Sequence, residues 1–118
     1  MDNIPGTFSV ELCGSQRELK VTFGLVERLE KRIFQRPIFD LLNEASQGRF
    51  YLSDVASLVH EGLVENGDKR LSRDQIGQEI MEKGLVNFAP TFVNILAYAL
   101  NGGVKNQGGA APADDKKK

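Results

Sequence analysis

The chain has 118 residues, 41% of them hydrophobic and 26% charged, a balance that suits one soluble globular domain and leaves little room for a second. Lys and Arg number 15 against 16 Asp and Glu, for a net charge of −1, so no overall field draws the chain onto nucleic acid or an anionic membrane. Cys13 is the one cysteine and His60 the one histidine, which excludes an internal disulfide framework and any multi-cysteine or Cys/His zinc site.

The first residues, Met1 to Gly6, carry neither a basic start nor an apolar run, so no signal peptide is expected. From Thr7 the pattern alternates. Phe8, Val10 and Leu12 share one face, and Leu19, Val21 and Phe23 share another, with Gly14-Ser15 between them. Period two, twice over, predicts a β-hairpin across Thr7–Phe23, and its apolar face must lie on helices to be stable. At Gly24 the period becomes helical, with Leu25, Val26, Leu29 and Ile33 in one stripe. Pro37 disfavours helix at Arg36 and predicts a break there.

A second helix follows, with Ile38, Leu41, Leu42 and Ala45 inward and Gly48 as its stop. Ser53 is the expected N-cap of a third, which points Val55, Leu58, Val59 and Leu63 at the core and ends at Asn66-Gly67-Asp68. Ser72 and Gln75 form a capping box for a fourth, with Leu71 and Ile76 as a hydrophobic staple. Gly84 marks its end, with Leu85 placed to meet Ile80 in a Schellman arrangement. A last helix runs from about Ala89 to Leu100, with Pro90 in its first turn. The longest apolar stretch, Leu85–Leu100, is interrupted by Asn87, Pro90 and Asn94 and is shorter than the ~20 residues of a membrane span. The expected fold class is α+β, an N-terminal hairpin on a bundle of four to five short helices, in one domain over residues 1–101. A soluble protein of a reducing cytoplasm follows, with no membrane partner.

Beyond Asn101 the composition changes to GGVKNQGGAAPADDKKK. Val104 is the one sizeable apolar side chain there, too little burial to offset ordering entropy, so residues 102–118 are expected to be disordered. The closing Lys116-Lys117-Lys118 has two readings. Consecutive lysine codons can form an A-rich heptamer on which ribosomes change frame, and a longer minor product would then share the body. Alternatively, the lysines only solubilise a loose terminus.

No enzyme is expected, and no cofactor or metal. His60 has no local triad signature around it, Cys13 has no base in sequence reach, and the glycine spacings of phosphate-cradling loops are absent. The third and fourth helices can be drawn as a helix-turn-helix, but the fourth carries Arg73 and Lys83 against Asp74, Glu79 and Glu82, the wrong sign for phosphate contact. The connection between the two is also long for such a turn. The last helix is apolar nearly all round, interrupted by Thr91 and Asn94. Such a helix is either central to the core or buries a second face against a partner or a second copy. Phe92, Ile95, Leu96 and Tyr98 are the candidate contact residues.

The segments Leu19 to Glu30, Pro37 to Leu42 and Leu52 to Leu63, with Ile76–Gly84 and Asn94–Gly102 after them, together resemble the small tail-assembly proteins of gene transfer agents and long-tailed phages. The resemblance runs from about Ser9 to Gly103. It rests on the Thr22-Phe23-Gly24 start of the first helix, the Leu29-Glu30 within it, and the Asp54-Val55-Ala56 and Gly62-Leu63 of the third. Arg36-Pro37 stands where similar sequences tend to have a Gly-Ser-like break. The resemblance implies a tail assembly chaperone in the host cytoplasm, with the tape-measure protein and the tail-tube protein as partners. A structural tube subunit is the alternative.

Overall fold

In the computed structural model, which describes residues 6–101, the order is β1 (Thr7–Leu12), β2 (Ser15–Lys20), α1 (Phe23–Arg28), α2 (Ile38–Ser46), α3 (Leu52–Glu65), α4 (Arg73–Lys83) and α5 (Ala89–Asn101). The expected architecture is present: one antiparallel hairpin laid on helices. The expectations for residues 102–118 lie outside the described residues.

The hairpin pairs Leu12 with Ser15, Val10 with Arg17 and Phe8 with Leu19. Its turn is Cys13-Gly14 rather than Gly14-Ser15, with φ of +52° and +81°, the signature of a type I′ turn that matches strand twist. The second strand also ends earlier than the alternation predicts. Leu19 and Val21 point inward, and the Val21 N–H still donates to the Gly6 carbonyl at 2.7 Å. Then the Thr22 hydroxyl accepts from the Leu25 N–H at 3.2 Å and turns the chain into α1. Phe23 therefore opens a helix instead of closing a strand, and 80% of it is exposed.

Helix α1 widens into a π-helical turn over Leu29–Ile33, closed by the Phe34 N–H on the Leu29 carbonyl at 2.8 Å. The slip changes which side chains reach the core. Leu25 and Leu29 stay buried, but Ile33, expected in the stripe, is 38% exposed. Phe34 takes its place, with its ring edge-on to Phe92 at 6.5 Å between centroids. Gln35 then adopts φ +56° and Pro37 stands at the start of α2, so the break falls where proline predicts it. Proline offers no side-chain cap, and the Glu30 carboxylate accepts the Ile38 N–H instead, at 2.8 Å.

Schellman exits close α2 and α3. The Gly48 N–H bonds to the Ala45 carbonyl and the Arg49 N–H to that of Glu44; Gly67 and Asp68 repeat the pattern on Val64 and Leu63. At Gly84, where this motif was expected, φ is +98° and ψ +121°, outside the left-handed helical well. The chain runs instead into a short 3₁₀ turn, Leu85–Asn87. The start of α3 also departs from expectation. Its first residue is Leu52, and Ser53 lies inside the helix. The Asp54 carboxylate accepts the Tyr51 N–H at 3.1 Å and satisfies the end. The capping box of α4 forms as expected, with Ser72 Oγ accepting from the Gln75 N–H at 3.1 Å and Gln75 Oε1 from the Ser72 N–H at 2.8 Å.

Helix α3 lies under β2 and against α4, while α5 packs on α2, β1 and α3. Leu12, Leu19, Leu58, Leu63, Ile76, Ile80, Phe92 and Leu96 are among the large side chains at the centre. Gly62 lets α3 approach the sheet, since a Cβ there would stand 3.0 Å from that of Leu19.

Candidate protein-interaction surface

Helix α5 lies against the body with part of its apolar circumference turned inward. Phe92, Ile95 and Leu96 are each at most 1% exposed. Phe92 also stacks beside Phe50, with centroids 5.2 Å apart. Tyr98 is half-buried, with Phe8 edge-on at 5.7 Å. Three of the four residues expected to meet a partner thus face inward, and the fourth rests on the hairpin. Elements α2, β1 and α3 cover the helix from different sides, while Leu100 near its end stays 41% exposed.

The residues that carry the family resemblance act as joints. Thr22 caps α1 and its hydroxyl donates to Glu65 Oε2 at 2.6 Å. Glu30 holds the start of α2, Asp54 that of α3, and Gly62 makes room for Leu19. Arg28 reaches from α1 to α3, donating to Glu61 Oε1 at 3.2 Å and to Glu65 Oε1 at 3.0 Å. The Thr22 hydroxyl first, and Arg28 next, hold the Glu65 carboxyl below its ordinary range. Phe23 is the large side chain of these motifs that the packing leaves out.

Two further networks tie the hairpin to the helices. Asp68, just past α3, accepts from the Arg70 side chain and N–H, and from Arg17 of β2 at 2.9 Å. Arg70 chiefly, with Arg17, keeps the Asp68 carboxyl well below the usual carboxylate range. At the hairpin tip the Cys13 N–H donates to Glu79 of α4 at 2.9 Å, and Lys83 pairs with the same carboxylate at 3.2 Å. Both lower the Glu79 pKa, the Cys13 N–H more.

These bonds also bear on chemistry. His60 Nδ1 stands 4.0 Å from Glu61 Oε2, while Cys13 lies at the hairpin turn. Among the described residues no group of three or more His, Cys, Asp or Glu converges as a metal site, and no helix is long and apolar enough to cross a membrane. On α4, Arg73 Nε donates to the buried Ser57 hydroxyl at 2.7 Å and Lys83 is paired with Glu79. Both basic groups of the would-be recognition helix are thus engaged within the chain.

A groove of about 400 Å³ lies between α3 and α4. Leu52 and Ala56 on α3 face Arg73, Gly77 and Met81 on α4, spaced i, i+4, i+8. Gly77 keeps the floor low, because a Cβ there would meet the Ala56 methyl at 3.7 Å. Met81 is 60% exposed on one wall, and Tyr51, 77% exposed, precedes Leu52 on the other. Ser53, Asp74 and Gln78 form a polar rim. Glycine, a single methionine and a capped polar helix give this stripe only a weak apolar pattern in the sequence. A second groove, of about 480 Å³, runs beside β1, lined by Ser9, Val10, Glu11, Lys83, Asn87, Phe88 and Thr91.

Comparison with curated proteins returned no match, nor did comparison with solved structures. The family described as "Phage tail tube protein, GTA-gp10" matches residues 5–102, most of the chain. The match spans both strands and all five helices, and with them every joint described above. This chain belongs to the GTA-gp10 family of phage tail tube proteins.

Proposed function

We propose that within phage or gene-transfer-agent tail morphogenesis this chain acts as an assembly chaperone. It binds the helical tape-measure protein in the host cytoplasm and helps bring tail-tube subunits to it. Its action is binding rather than catalysis, without nucleic acid or membrane. The observation that carries this reading is the α3–α4 groove, with an apolar floor at Ala56 and Gly77 and mobile-chained Met81 on its wall. Helix-in-groove recognition uses such a surface, and methionine adapts to varied apolar partners. The family's description supports a second reading, a permanent tube subunit. The helix-rich body favours the first, because its described residues contribute a sheet of two strands, little material for a continuous tube wall.

The two readings predict different inventories. Mass spectrometry of purified particles finds a tube subunit in many copies and a chaperone in none. Co-expression supplies the molecular test. The full chain should keep a tape-measure segment soluble, and Met81→Asp should abolish that while circular dichroism and melting stay unchanged. Abundant copies in the particle, or no solubilisation by the full chain, would overturn the chaperone reading; solubilisation untouched by Met81→Asp would remove the α3–α4 groove from it.

A further inference from the structure

We propose that β1 is a self-pairing edge, through which two copies of this chain join antiparallel about a twofold axis at Ser9 to make one four-stranded sheet. The inference is independent of the chaperone reading. In the hairpin, Leu12–Ser15, Val10–Arg17 and Phe8–Leu19 are the pairs that exchange backbone bonds, as the two-residue turn and the Val21–Gly6 bond require. The N–H and C=O groups of Thr7, Ser9 and Glu11 therefore point away from β2. Among the described residues none of them bonds to a group outside the hairpin. An edge of this kind is a template for another strand. The groove beside it leaves the approach clear, with Phe88 as its floor and Lys83, Asn87 and Thr91 around it.

A second copy fits this edge better than other strands do. Its own β1 is already extended within a hairpin, so pairing orders no new backbone. Segment 102–118 of the same chain is glycine-rich with one sizeable apolar residue, Val104, poor material for a strand. The register centred on Ser9 is also self-complementary. Ser9 faces Ser9 across the axis, small against small, and Thr7 of each copy faces Glu11 of the other. Lys20 lies across from Thr7 within each hairpin, two strands from the incoming Glu11, and no like charges oppose across the axis. Edges of six residues make a small interface, so the dimer is weak and concentration-dependent.

Sedimentation of the full chain over a concentration series should show the mass rising from one copy towards two. Ser9→Lys separates the fold from the interface. Within one hairpin residue 9 sits opposite Glu18, where lysine is welcome, but across the axis it opposes its own copy. The variant should melt no lower than the parent and dimerise at least about tenfold more weakly. A cross-linking arm stands apart from that variant's folding. In a Cys13→Asn background, which supplies the Asn-Gly pair that type I′ turns prefer, Ser9→Cys should form a disulfide dimer under mild oxidation. Glu18→Cys in the same background, one strand further from the axis, should not. A chain that stays monomeric up to about 1 mM, a dimer unaffected by Ser9→Lys, or equal cross-linking at both positions would overturn the proposal. So would a full chain that dimerises only once 102–118 is removed, because the segment would then be the occupant.

Discussion

Two glycines inside helices carry opposite expectations for the same substitution, and the difference lies in what a methyl group would meet. At Gly62 a new Cβ stands 3.0 Å from Leu19 Cβ and 3.2 Å from its Cδ2. Leu19 is fully buried and anchored in β2, so neither side can give way. Overpacking of ~1–3 kcal/mol outweighs the ~1 kcal/mol that alanine gains in helix propensity. Gly62→Ala should therefore lower stability in chemical denaturation. At Gly77 the same methyl meets Ala56 at an ordinary 3.7 Å, and Gly77→Ala should raise stability by up to ~1 kcal/mol. It also raises the floor of the α3–α4 groove, so the more stable variant should bind a tape-measure helix less well. Ser72→Ala removes the acceptor for the Gln75 N–H and should cost ~1 kcal/mol.

At the scale of elements, legibility followed how local each signal was. Ser72 with Gln75, Pro37, Gly48 and Gly67 act through their own backbone or that of residues three to five away, and each stands where the pattern put it. Signals needing a distant partner were not legible. Leu25, Leu29 and Ile33 keep a helical period, yet the π turn rotates Ile33 outward because Glu30 must reach the Ile38 N–H and Phe34 must reach Phe92. The alternation Leu19-Val21-Phe23 fits a strand as well as it fits a strand followed by a cap. Thr22 settled it by bonding to Leu25 and Glu65 together. The site was less legible than the fold. An apolar circumference reads the same whether α2, β1 and α3 cover it or a partner does, and the α3–α4 groove depends on two helices meeting at Ala56 and Gly77.

For the molecule as a whole, acid should act through the joints that tie the hairpin and α1 to α3 and α4. Glu65, Asp68 and Glu79 all have pKa values lowered by native partners. A carboxylate lowered on folding stabilises the native state above its unfolded pKa, and that contribution is lost as pH falls through the folded value. Stability should therefore be flat near neutrality and decline from about pH 4 downward, where unfolded carboxyls take up protons. Asp68→Asn should lose stability at pH 7 and show a shallower acid decline, measured by urea unfolding at several pH values. A parallel decline in both proteins would remove Asp68 from that role.

The contact between the hairpin's beginning and the last helix has a topological consequence. A Cβ on Gly6 would lie 3.2 Å from the Tyr98 hydroxyl, and Tyr98 is within one helical turn of the end of α5. The two ends of the body are neighbours in space. The chain can then be joined head to tail by a short linker and reopened elsewhere as a circular permutant. Gly48 is the natural place to cut, exposed and with open space around it. Such a permutant should keep the core and the α3–α4 groove.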